Sequence, residues 1–165
     1  MPLWEYIIYL AVIAVGIALD QLTKWLSVKY LAPIETLPII KDVIHLTYVE
    51  NRGAAFGMLA NHRWVFIIIS TVTIVFLLFI LFSGRLSSNK LYTVSVAMII
   101  SGGIGNMIDR TLLGYVVDFI DFRLINFAVF NGADSFVCVG AGILMLALVL
   151  DVIREYKKQK RDKEN

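Results

Sequence analysis

Two aspartates sit among large apolar residues in the last third of the chain, Asp118 in Val116-Val117-Asp118-Phe119-Ile120-Asp121 and Asp134 in Phe130-Asn131-Gly132-Ala133-Asp134-Ser135. When two carboxylates from separate elements converge within hydrogen-bond reach, they cannot both ionise cheaply. They then tend to share a proton, one acting as base on a water and the other as acid toward a carbonyl oxygen or a leaving amine. The titration of such a couple belongs to both groups together. An Asp that opens a helix is also an ordinary N-cap, so Asp134 has a purely structural alternative.

Further polar residues gather upstream. Gly102-Gly103-Ile104-Gly105-Asn106-Met107-Ile108-Asp109-Arg110 ends an apolar stretch with an amide, a carboxylate and a guanidinium, after glycines that let backbones approach closely. Asp20 and Lys24 are four apart, on one helical face, and can pair. Other chemistries lack their motifs. There is no Gly-x-Ser-x-Gly for a serine nucleophile, no His-Glu-x-x-His for a zinc site and no P-loop. His45 and His62 are too few for a conventional metal site, and Asp109, Asp118 and Asp121 have no phosphate-binding companion that would favour Mg²⁺. Cys138 excludes an intrachain disulfide and, inside an apolar run, is expected to be a small packed residue.

The elements that must position these groups are membrane spans. Of 165 residues, 59% are hydrophobic and 17% charged, and the mean hydropathy is +0.78. So much apolar surface cannot hide inside so small a body. Four stretches are long and apolar enough to cross about 30 Å of hydrocarbon, at 3–26, 64–84, 91–112 and 135–153, followed by a basic tail, 154–165, expected to fray from Lys157. Met1 to Tyr6 has no positive n-region, so the first stretch reads as a retained span. The tail holds Arg154, Lys157, Lys158, Lys160, Arg161 and Lys163, a local feature and no footprint of a nucleic-acid partner. By the positive-inside bias it keeps both termini cytoplasmic, with Arg85 and Lys90 on the same side.

The two segments on the other side are then about 27–63 and 111–134. In Ile44-His45-Leu46-Thr47-Tyr48 apolar and polar residues alternate with period two, which predicts a half-exposed strand and a small extracytoplasmic sheet between the first two spans. Its turn is expected at Asn51-Arg52-Gly53, after which Ala54-Ala55-Phe56-Gly57 returns toward the membrane. The fold class is thus an all-α, four-span membrane protein with a small β-sheet cradle, in one domain.

Five blocks resemble, in order and spacing, the motifs of bacterial lipoprotein signal peptidase (signal peptidase II): Asp20-Gln21-Leu22-Thr23-Lys24, Asn51 to Gly57, Gly105 to Arg110, Val116 to Asp121 and Phe130 to Ser135. The resemblance spans nearly the whole chain. It implies an aspartyl endopeptidase of the bacterial cytoplasmic membrane that removes signal peptides just before a diacylglyceryl-modified cysteine, with no cofactor or metal, acting as a monomer with its site near the outer leaflet. Asp118 and Asp134 match the family's catalytic dyad. Asn106, Asp109, Arg110 and Asn131 match residues that contact substrate or the cyclic-peptide inhibitor globomycin. Asn51 and Gly53 fall in the block that meets the lipidated peptide, Gly53 to Gly57 matching its sheet, and Asp20 and Lys24 match supporting positions. The family usually has a branched apolar residue where Gly132 stands, so a looser or differently shaped site is expected here.

Two other classes compete. A proton or cation carrier would use Asp20, Asp109, Asp118 and Asp134 as a path, but the acidic residues cluster at one interface and the second span has no charge within it. A scaffold would leave the clusters as helix ends, and carboxylate-to-amide changes would then cost little.

Overall fold

The structure, a computed structural model, describes residues 3–53, 62–84, 86 and 90–164. Helix α1 (Leu3–Leu26) loosens into a π-helical turn (Ser27–Leu31) and leads into strands β1 (Thr36–Ile40) and β2 (Ile44–Asn51). Helices α2 (Arg63–Phe82) and α3 (Lys90–Leu112), strand β3 (Val116–Asp121) and helix α4 (Gly132–Glu164) follow. All four helices are long and apolar enough to cross a membrane. Their outward faces are apolar too: on α2, Trp64, Ile68, Val72, Phe76 and Phe79 are all exposed, which suits hydrocarbon and not water.

Helix α3 is the centre of the bundle and packs against each of the other three. Small residues make this possible. A Cβ on Gly102 would collide with the Ala133 carbonyl oxygen, and one on Gly105 would come within 2.5 Å of Asp20 Oδ2, so α4 and α1 close onto α3 only where α3 has no side chain. Ile13, Ile74, Leu81, Val96, Ala97 and Ile100 form the buried apolar core.

The sheet is antiparallel in the order β1-β2-β3, so the two strands between α1 and α2 are completed by a third from the α3–α4 connection. That third strand was not apparent from its sequence, because Val116 to Asp121 is buried on both faces over most of its length and does not alternate. The β1–β2 turn passes through Asp42 at φ 59°, a left-handed conformation that Asp tolerates. His45 is buried in β2 and accepts a hydrogen bond at Nε2 from the Asp42 N–H (3.2 Å).

One boundary differs from expectation. The fourth span and the basic tail are one helix from Gly132, with no fraying from Lys157 up to Glu164. Lys, Arg, Gln and Glu are strong helix formers, cations at a helix C-terminus meet its dipole favourably, and Arg154 pairs with Asp151 one turn earlier (3.2 Å). Residues 54–57, expected to return toward the membrane, and Arg85 lie outside the described residues.

Candidate active site

The C-terminal ends of α1 and α3, the N-terminus of α4 and one face of the sheet meet at the end of the bundle away from both termini. What brings Asp118 and Asp134 together is a backfold. After β3 the chain turns through Arg123–Ile125 and returns so that Phe130 pairs with Ile120, its carbonyl accepting from the Phe119 and Ile120 amides (3.0 and 2.8 Å). Phe130 stacks on Phe122 at 5.6 Å and holds the return. Asn131 is thereby set beside Asp118, and α4 starts at once.

Asn131 organises the couple. Its Nδ2 donates to Asp118 Oδ1 (2.6 Å), and its Oδ1 accepts the Asp134 backbone N–H (2.9 Å). Asp134 Oδ2 in turn accepts the Asn131 N–H (3.2 Å), so the two residues form a reciprocal capping box in which Asn131 is the cap and Asp134 the third residue of the helix. The cap expected of Asp134 is therefore made by Asn131, which leaves Asp134 Oδ1 for Asn106 Nδ2 (2.7 Å). From the sheet, Asn51 Nδ2 donates to Asp118 Oδ2 (2.8 Å), while Asn51 Oδ1 accepts the Gly53 N–H (2.9 Å) in a local turn. Every one of the four carboxylate oxygens accepts at least one N–H.

Both aspartates border a cavity of about 630 Å³, with Asn51, Asn106, Arg110 and Phe66 among its walls. Arg110 donates to the Gly53 carbonyl (3.2 Å) and lies over the Phe66 ring (4.9 Å), so its guanidinium is fixed at the wall. Phe66, near the start of an uncharged, largely apolar run, had no sequence signal. Cys138 also lines the cavity and is exposed instead of packed. Asp109, grouped in the sequence with the ligand-facing residues, points elsewhere: it meets Lys24 (3.0 Å), Gln21 Nε2 (3.0 Å) and the Val117 N–H (3.1 Å). Asp20 and Lys24 pair as expected, at 2.9 Å, and both are almost fully buried. Gln21 is a further member of this cluster, legible only as part of the first motif block.

Burial pushes the Asp118 carboxyl up to about 6, against hydrogen bonds from Asn51 and Asn131 that favour its charged form, with Asp134 nearby adding to the rise. Asp121 differs. Burial would raise it, but the Thr47 hydroxyl (2.7 Å) and Arg123 (3.0 Å) hold it below the usual carboxylate range, where it ties β2 to β3 away from the cavity. Gly132 opens α4 in ordinary helical backbone. A Cβ there would make only van der Waals contacts with Asp20 and Thr23, at 3.5 and 3.7 Å, so the missing side chain leaves space without being sterically required.

Fold and site define a multi-pass membrane protein with a buried acidic site at one end of its helix bundle. Residues 12–150 match the family model of signal peptidase (SPase) II. The chain is 54% identical over 135 residues to the lipoprotein signal peptidase of Caldanaerobacter subterraneus subsp. tengcongensis, covering 82% of this chain and 91% of that protein. It is 49% identical over 141 residues to that of Halothermothrix orenii, covering 86% and 94%. A solved structure of a bacterial membrane enzyme superposes with a TM-score of 0.78 at 29% identity, covering 87% of this chain and 88% of that one. The chain belongs to the signal peptidase II family and is a protease of a bacterial membrane.

Proposed function

We propose that this chain is an aspartyl endopeptidase that cleaves signal peptides from diacylglyceryl-modified prolipoproteins immediately before the lipidated cysteine. The observation that carries the reading is the convergence of Asp118 and Asp134, from a strand and a helix, on one cavity at the bundle end, each locked by amide donors. An apolar signal helix and two acyl chains must be met from the bilayer while hydrolysis needs water, and the end of a membrane bundle offers both. The basic end of α4 argues that both termini are cytoplasmic and the site near the outer leaflet.

In the reaction, the ionised aspartate takes a proton from water as its oxygen attacks the scissile carbonyl carbon, and the protonated one gives its proton to the carbonyl oxygen. The tetrahedral intermediate then collapses: the C–N bond breaks, the amine leaves with a proton from the first aspartate, and the second recovers its own from a hydroxyl. Neither a covalent intermediate nor a metal enters. Arg110, Asn106, Asn131, Asn51 and Gly53 orient the peptide and lipid head, and Asp109 contributes by positioning. Globomycin is expected to occupy the same cavity, and the protein to act as a monomer.

Purified protein incubated with a diacylglyceryl-modified prolipoprotein is expected to release a chain beginning at the lipidated cysteine, read by mass spectrometry, and EDTA is expected to leave the rate unchanged. Cleavage elsewhere, or only of unmodified precursor, would refute the reading. Because burial raises Asp118 and the two carboxylates titrate as a unit, kcat/KM of the free enzyme is expected to follow a bell whose alkaline limb has an apparent pKa near 6. The sign is set by the acid: above that pH the proton is lost and no group remains to protonate the carbonyl oxygen. A profile flat from pH 5 to about 8 would contradict the assignment.

A further inference from the structure

Each aspartate of the couple follows a residue whose backbone N–H is gripped by another carboxylate. Asp20 Oδ1 accepts the Ala133 N–H (2.8 Å), just before Asp134, and Asp109 Oδ2 accepts the Val117 N–H (3.1 Å), just before Asp118. The two gripping carboxylates come from different helices, α1 and α3, and share one cation. Lys24 Nζ lies 2.9 Å from Asp20 Oδ2 and 3.0 Å from Asp109 Oδ2, and its third bond goes to Asn106 Oδ1 (3.0 Å). An ammonium has three donors and no acceptor, so the atom Asn106 turns toward it must be oxygen, which also accepts from Asn131 Nδ2 (3.1 Å) and leaves the amide nitrogen for Asp134.

Resting on the dyad reading above, we propose that Lys24 is a positioning residue for the reaction: it couples the two backbone grips that set the spacing of Asp118 and Asp134, and with Asn131 it holds the Asn106 amide so that Asp134 is met by a donor. A cation buried only to neutralise one carboxylate would need neither the second carboxylate nor the amide. The charges around the cluster make Lys24 consequential. Asp20 on α1, Asp109 on α3, Asp118 on β3 and Asp134 on α4 face two cations, Lys24 and Arg110. Without Lys24 the carboxylates outnumber the single remaining cation four to one, and Asn106 Oδ1 keeps only the Asn131 Nδ2 donor (3.1 Å) to hold its orientation. Loss of that positive charge makes the couple hold its proton to higher pH.

The test is the pH profile of prolipoprotein cleavage by Lys24→Met, Lys24→Gln and Lys24→Arg, with rates corrected for the folded fraction. Both neutral variants are expected to show the whole bell displaced upward by about one pH unit, with kcat reduced about 10- to 100-fold and KM changed less than about threefold. Lys24→Arg, which keeps the charge and the donors, is expected to hold the bell at its original pH. Lys24→Gln, whose amide still donates to a gripping carboxylate, decides the matter if Lys24→Met does not fold. A double-variant cycle of Lys24→Gln with Asn106→Ala is expected to give less than the product of the single effects. Neutral variants that lose rate but keep the original bell would overturn the proposal and leave Lys24 a fold anchor. Turnover surviving Asp118→Asn or Asp134→Asn would instead overturn the dyad reading itself.

Discussion

Asp118→Asn and Asp134→Asn are each expected to lower kcat by about 10³-fold or more, the scale set by removing a positioned acid or base, while Asp121→Asn stays within about threefold of the parent. Asparagine keeps the shape of the side chain and one acceptor oxygen. Asp118 can therefore still accept from Asn51 or Asn131, and Asp134 from Asn106 or its own capping box. Folding is then largely preserved while the proton chemistry is lost. Asp121 is the control because it lies on the same strand but is engaged by Thr47 and Arg123 away from the cavity, and Arg123 is itself partly solvated, which weakens the pair. The measurement is initial rate on a diacylglyceryl-modified prolipoprotein with EDTA throughout, each variant checked for its thermal transition in the same detergent. Three comparable losses would point to a structural origin, and turnover surviving either dyad change would overturn the dyad reading and place the hydrolysis on other residues.

Asn131 is the second position with a large expected effect, because one side chain caps α4 and donates to Asp118. Asn131→Ala removes the cap, at about 1 kcal/mol, and releases both aspartates from their common anchor, for which an activity loss of about 10²-fold is expected. Asn131→Asp separates the two roles. Aspartate is as good a cap as asparagine, so the thermal transition should fall less than in the alanine variant. Its side chain, however, offers Asp118 an acceptor where a donor stood at 2.6 Å, and buries a third carboxylate beside the couple. Activity is therefore expected to be lost at least as fully as in Asn131→Ala, in spite of better folding. Equal activity in the two variants, tracking stability alone, would assign Asn131 to the helix end and not to the couple.

Much of this architecture is legible in the sequence. Uncharged apolar runs over 64–84 and 91–108 read as helices in a bilayer, since a helix satisfies every backbone group within one such segment, and α2 and α3 fall on them. Period-two alternation from Ile44 marked β2 for the same local reason. The polar residues stood out because charge at membrane depth is costly and must be employed or paired. In the cluster, Asp20 and Lys24 were bound to meet by helical geometry alone.

What the chain order could not reveal is which partner each of these groups meets when the partner lies far along the chain. Strand β3 has no alternation to announce it, and its pairing with β2 spans the whole of α2 and α3. Asp109 and Arg110 are neighbours in sequence, yet one faces Lys24 and the backbone of β3 and the other the cavity wall, because adjacent residues on a helix point in directions about 100° apart. Asp134 resembled a cap until the return of Phe130 along Ile120 brought Asn131 to that place. Local hydrogen bonding and periodicity fix what each segment is. Only the close approach of α1, α3 and α4 across Gly102 and Gly105 fixes which carboxylate grips a backbone amide and which faces the cavity.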